Sequence, residues 1–192
     1  FEVANKFNAQ FIQLDHVAGQ YVRNSNSDKV IELNHEDYKS VRALYPNIKV
    51  MGGVWPKYYT PKCHKEEYAS RRKQFFRDLR EGIDNADYIV VTGDGTGIAV
   101  EKQKLDMFSH DMNVICSFGD DHLRRPIIVG AGVSAENITD IWKFAGAIVG
   151  SAFKPDKNTT LPVSKELVIK FMSALNEDKI IKIHCLPSPL GR

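Results

Sequence analysis

The sequence predicts an α/β fold of the (β/α)8 barrel type, with about six of the strands carried by this chain of 192 residues. Three observations predict it. Short β-type runs alternate with longer helical stretches along the whole chain. Most of these runs are continuously apolar, as strands covered on both faces of a parallel sheet tend to be. Glycines and polar residues gather just after the runs, at the end where parallel α/β proteins bind their ligands.

The β-type runs are Gln10 to Leu14, Ile48 to Val54, Tyr88 to Val91, Ile127 to Val129, Ala147 to Val149 and Ile180 to Ile183. Helical stretches separate them: Glu36 to Leu44, Lys65 to Ile83, Glu101 to Met107, Ala135 to Phe144 and Lys165 to Leu175. The second is the most regular, with Phe75, Phe76 and Leu79 as its core stripe and the basic cluster Arg71, Arg72 and Lys73 as a solvated face. Ser134 and Ser164 stand where helix N-caps belong. The stretch Asn113 to Arg125 breaks the rhythm; its Val114-Ile115-Cys116 reads as a short extra strand or part of an extended loop. Gly19 to Ser27 is polar and reads as a loop over the strand ends. No linker divides the chain, so residues 1–192 form a single domain, short of the roughly 250 residues typical of a closed barrel.

Composition narrows the class. Hydrophobic residues make up 43% and charged residues 26%, as in an ordinary globular protein. No apolar run reaches the roughly 18 residues of a spanning helix, so no membrane is expected. A net charge of +2, without interleaved aromatic and basic residues, argues against a nucleic-acid partner. Cys63, Cys116 and Cys185 are odd in number, widely spaced and form no CxxC pair, so neither a structural zinc site nor a disulfide framework is suggested, which fits a reducing, cytoplasmic setting. The chain opens on Phe1, so it says little about a targeting peptide.

Candidate site residues follow each strand. Asp15 and His16 end the first; either can act as general acid or base, or brace the loop, and usually only one of two consecutive residues faces the mouth. Lys57, after the second, suits a phosphate clamp, a proton carrier or a Schiff-base nucleophile, against the solvated role of an ordinary lysine. Thr92-Gly-Asp-Gly-Thr-Gly97 follows the third. Its glycines permit close ligand approach, Asp94 can orient a hydroxyl or hold a divalent metal, and Thr92 and Thr96 can contact a ligand. It lacks the lysine of a P-loop, and an Asp-Gly turn explains it equally well. Gly130-Ala-Gly132 and, one unit later, Gly150-Ser151 form two turns whose amides can approach phosphate oxygens, unless the glycines serve only the tight turns. His184 ends the last run, either facing a ligand or packed. His64, His110 and His122 lack partners at metal-ligand spacing and read as surface residues. No cofactor is implied.

Four segments carry a family likeness: Phe11-Ile-Gln-Leu-Asp-His-Val-Ala-Gly19, Tyr88-Ile-Val-Val-Thr-Gly-Asp-Gly-Thr-Gly97, Ile127-Ile-Val-Gly-Ala-Gly-Val-Ser-Ala-Glu-Asn137 and Gly146-Ala-Ile-Val-Gly-Ser-Ala-Phe-Lys154. In these the chain resembles the BtpA/SgcQ family of barrel proteins. The resemblance implies a (β/α)8 barrel with Asp15, Lys57, Thr92 and Asp94 at its mouth and a phosphate site at Gly130, Gly132, Gly150 and Ser151. Gly52-Gly53-Val54-Trp55 departs from the family, where an acidic residue and a histidine-bearing segment are expected. The match begins near the family's fourth strand, and the tail, residues 181–192, is similar to the family's first. The order therefore reads as rotated, with the second and third strands unaccounted for and a second chain or a missing segment expected to close the barrel. Two functions are implied. The first is an enzyme acting on a small phosphorylated metabolite, with Asp15, Lys57, Asp94 or His184 handling protons in lyase, isomerase or hydrolase chemistry. The second is a non-catalytic assembly factor, following the family's link to photosystem I biogenesis.

Overall fold

Tyr88-Ile-Val-Val91 is a run of large side chains with no polar position along it, and Ile89, Val90 and Val91 are all buried. Such a strand has no solvent face, so it needs neighbours on both edges and cover on both sides. The computed structural model, which describes residues 1–62, 68–117, 123–141 and 143–177, gives it both. The chain runs α1 (Glu2–Lys6), β1 (Phe11–Leu14), β2 (Gln20–Arg23), β3 (Asn26–Glu32), α2 (His35–Leu44), β4 (Lys49–Gly53), β5 (Tyr59–Pro61) and α3 (Tyr68–Asn85). It continues through β6 (Tyr88–Val91), α4 (Lys102–Ser117), β7 (Ile127–Val129), α5 (Ile138–Ile141), β8 (Gly146–Ala147), two 3-10 turns and α6 (Lys165–Glu177).

Five strands form a parallel sheet in the order β1-β4-β6-β7-β8. Each new parallel strand is laid beside the previous one, so the order never reverses and the sheet has no topological switch point. It is an open sheet, with β1 and β8 at its edges; no closed barrel forms among the described residues. The expected sixth run, Ile180 to Ile183, the tail and His184 lie outside the described residues, as do His64, His122, Cys63 and Cys185.

Helices α3 and α4 cover β4 and β6 by interlocking apolar stripes. Phe75, Leu79 and Ile83 come from α3; Leu105, Phe108, Met112 and Ile115 come from α4. Phe75 and Phe108 meet edge to face at 4.7 Å, a favoured aromatic geometry. Phe76 departs from the expected core stripe. One position along a helix is a turn of about 100°, which carries its ring out to 36% exposure. Arg72 departs from the expected solvated face, because it pairs across the helices with the buried Asp111, which His110 also contacts at 3.0 Å.

Two further expectations are corrected. Val114-Ile115-Cys116 is neither strand nor loop but the last turns of α4. The burial of Leu105, Phe108, Met112 and Ile115 at steps of three and four continues the helical stripe, and this packing outweighs the β preference of Val and Ile. Gly19 to Ser27 is not a loop: it holds β2 and the start of β3, which with β5 form a second, antiparallel sheet in the order β3-β2-β5. The local signal is weak: Gln20-Tyr21-Val22-Arg23 puts two apolar residues between polar ends, and of these Tyr21 is fully buried. Helix α5 is shorter than expected. Asn137, rather than Ser134, supplies the side chain that binds backbone there, accepting from the Ser134 amide at 2.8 Å. Ser164 does cap α6, accepting from the Leu167 amide at 3.3 Å.

Candidate functional site at the carboxyl ends of the strands

Backbone turns at the carboxyl ends of β1, β4, β6 and β7 surround a small cleft of about 90 Å³. Asp15, Lys57, Thr92 and Gly130 line it, so four residues from four separate strand exits meet in one place. Arg23, Tyr58 and Tyr59 close it from the side of the antiparallel sheet.

The β4 exit loop is built by its neighbours. Trp55 and Tyr58 both sit at positive φ (52° and 66°), a strained conformation for residues with a side chain. Hydrogen bonds from four directions hold the loop. The Trp55 amide donates to the Tyr21 hydroxyl at 3.0 Å, and its indole N–H donates to Asp78 at 2.8 Å. The Lys57 amide donates to Thr92 Oγ1 at 2.8 Å. The Asn24 amide donates to the Tyr58 carbonyl at 3.0 Å. Asp78 is buried among these donors, and burial pushes its carboxyl up while Trp55 and Gln74 pull it down. Gly19 is required beside it. Its φ is 75°, and a Cβ there lands 2.8 Å from the Asp78 carboxylate.

Lys57 Nζ donates to Thr96 Oγ1 at 3.2 Å. The Tyr58 hydroxyl also donates to Thr96 Oγ1, at 2.9 Å, and accepts from the Thr96 amide at 2.8 Å; these bonds hold the Tyr58 phenol below its usual pKa. Thr92 is buried, with its hydroxyl spent on the Lys57 amide. Asp94 is exposed on the same loop. His16 turns away from Asp15 and packs against the rings of Tyr21 and Tyr59 at 5.9 and 6.2 Å. Burial there pushes its pKa down, with Asp15 opposing, so the ring favours the neutral form.

The two glycine turns differ. The Gly130 amide donates to the Val91 carbonyl at 2.7 Å, as part of the β6–β7 connection. Gly132 sits at φ 64° and packs against backbone, since a Cβ would fall 2.2 Å from Ala99. Gly150 faces open space, with no atom within 4 Å of a Cβ placed there. Ser151 lies beside the Thr92–Gly97 loop, its hydroxyl 3.2 Å from where a Gly97 Cβ would be.

Several site residues escape sequence reasoning. Lys104, on α4, donates to the carbonyls of Trp55 at 3.1 Å and Thr92 at 2.8 Å, tying the β4 and β6 exits together. Burial lowers its pKa, opposed by the charges of Asp94 and Glu101. A lysine inside a charged helical stretch carries no mark of such a role. Arg23 escapes sequence reasoning too, because the polar stretch around it reads as a loop and β2 is defined only by its pairing with β3 and β5. Among the described residues no group of three or more His, Cys, Asp or Glu is arranged to hold a metal, and no helix is long and apolar enough to cross a membrane.

A unidirectional parallel sheet whose strand exits converge on a polar cleft defines an α/β protein, and the cleft lies at the end of the sheet where parallel α/β folds in general carry their ligand sites. The chain belongs to the BtpA family, whose model matches residues 1–177. It is similar to an uncharacterized protein of Thermococcus kodakarensis, 28% identical over 178 residues, which cover 92% of this chain and 60% of the relative. It is also similar to an uncharacterized protein of Pyrococcus abyssi, 27% identical over 168 residues, covering 86% of this chain and 56% of the relative. The chain thus spans about 60% of the length of the curated relatives it matches.

Proposed function

We propose that this chain forms the ligand-binding mouth of a (β/α)8-type enzyme that acts on a small phosphorylated metabolite. The observation that carries this reading is the convergence of Asp15, Lys57, Thr92 and Gly130 from four strand exits on one cleft. A solvated surface gains nothing by aiming a carboxylate and a clamped lysine at the same hollow. A site that orients a ligand and moves a proton needs both.

In this reading the phosphate sits at the β8 exit, on the open Gly150–Ser151 turn. The Gly130 amide is already bonded to Val91, so the Gly150 and Ser151 backbone and the Ser151 hydroxyl take the larger share. Asp15, which makes no ion pair among the described residues, serves as the proton acceptor, and Lys57 serves as the electrophilic or proton-donating partner. The unidirectional strand order supports a barrel with more strands to add. So do the exposed Phe11 on the β1 edge and the exposed Ile169 and Met172 on α6.

The test is thermal stability of the full chain with inorganic phosphate, sugar phosphates and phosphorylated acids. A ligand that binds only the folded state raises Tm, by linkage. Gly150→Asp introduces a carboxylate into open space and should fold normally while abolishing the shift. If no phosphorylated compound shifts Tm, or if Gly150→Asp leaves every shift intact, the reading fails.

A further inference from the structure

Arg23 belongs to β2, in the antiparallel sheet beside the mouth, and lines the same cleft as Lys57 and Asp15. Strand side chains alternate in direction, so Arg23 shares a face with Tyr21, two residues earlier. Tyr21 is fully buried and holds the Trp55 amide, which fixes that face as the one turned toward the strand exits. The pairing with β5 keeps an unbroken register from Tyr21 through Arg23, so the alternation holds across this stretch. The neighbouring Asn24 is locked by its amide to the Tyr58 carbonyl and by its side chain to Thr60. Arg23 is therefore delivered to the cleft by a braced strand.

Arg23 makes no ion pair among the described residues. Lys57 is bonded only to a neutral hydroxyl. Two cations and one carboxylate, Asp15, thus line one cleft, and among the described residues neither cation is tied up in an ion pair. Guanidinium is built to take an oxyanion through two parallel N–H bonds. The Gly150–Ser151 turn stands at the other side of the mouth, at the exit of β8, three strand steps from β4. At roughly 4.8 Å per step this is about 14 Å, less the reach of the side chains.

From this geometry we propose that Arg23, with Lys57, forms a second oxyanion subsite, and that the substrate is a small metabolite with two anionic ends. One end is the phosphate at the β8 exit, so the inference rests on the function proposed above. The other end, a carboxylate or a second phosphate, lies against Arg23. The reacting carbons lie between them, beside Asp15 and Thr92.

The experiment is calorimetric titration of the full chain at fixed ionic strength with three kinds of probe. Glycerol 3-phosphate carries one anionic group, 3-phosphoglycerate adds a carboxylate, and pentose and hexose bisphosphates add a second phosphate. At least one doubly anionic probe should bind about tenfold more tightly than the monophosphate. Arg23→Gln should weaken the favoured doubly anionic probe about tenfold and far more than the monophosphate, closing the difference between them, and Arg23→Lys should restore part of it. Which probe benefits tells carboxylate from phosphate. Equal binding of all probes by the unaltered protein, or an equal loss for all of them in Arg23→Gln, overturns the second subsite. If no probe binds at all, the phosphate reading itself falls and takes this inference with it.

Discussion

The loop leaving β4 and the turn leaving β8 lie on the same rim but are made in opposite ways. The β4 exit is a side-chain construction. Trp55 and Tyr58 are held in left-handed conformations, and Tyr21, Asn24, Asp78, Thr92 and Lys104 each fasten part of the loop. The β8 exit is a backbone construction: the Gly150 carbonyl accepts from the Phe153 amide at 3.1 Å, and a Cβ on Gly150 would meet nothing within 4 Å. The first stores strain that the surrounding structure over-determines; the second keeps backbone accessible at almost no cost. A loop of the first kind fixes the backbone from which Lys57 reaches the cleft, through its amide bond to Thr92. In the function proposed above, a turn of the second kind admits an anion on its backbone, with the Ser151 hydroxyl beside it.

That contrast can be broken in a graded way. Phe75 packs at 5.1 Å against Trp55 and at 4.7 Å against Phe108, so Phe75→Ala should cost about 3–5 kcal/mol in urea unfolding and distort the β4 exit. Gly132→Ala should cost roughly 3 kcal/mol, because it combines a positive φ with a Cβ aimed at the Ala99 backbone. Lys104→Met leaves two carbonyls without their ammonium and should cost about 1–3 kcal/mol, with ligand affinity falling as the Trp55 and Thr92 exits drift apart. If Lys104→Met is as stable as the unaltered protein, the β4 exit is not held as described.

A smaller effect concerns pH. Burial lowers the His16 pKa below its ordinary 6.5. Between 6.5 and that lower value the unfolded chain binds more protons than the folded one, so stability is present above pH 6.5 and is lost as pH falls through the window. His16→Phe should flatten that segment of the stability profile, and NMR titration of the imidazole should place its midpoint below 6.5. The smallest effect belongs to the open turn. Gly150→Ala should stay within about 0.5 kcal/mol of the unaltered protein, against the large loss at Gly132.

The two exits also differ in how far sequence reveals them. Gly130-Ala-Gly132 and Gly150-Ser151 stand out because glycine after an apolar run is a local signal. Asp15, Lys57 and Thr92 stand out because they follow such runs, and the structure gathers all three at one cleft. Nothing local announces Lys104, whose partners are 49 and 12 residues away, or Asp78, which lies 23 residues from the indole it holds. The antiparallel sheet is not legible in the sequence, because a four-residue strand with polar ends resembles a loop, and β2 acquires its identity by pairing with β3 and with the distant β5.

By itself the sequence determined the alternation of strands and helices, the parallel character of the central strands, the family likeness and the end at which polar residues collect. These are written in local periodicity and composition, which need no partner to be read. Only the tertiary structure decided that the five parallel strands form an open sheet among the described residues, that α4 runs through Val114 to Cys116, and that Arg23 and Lys104 reach the mouth. Those outcomes depend on side chains far apart in the chain satisfying one another's burial and hydrogen bonds, and no window of sequence contains both partners.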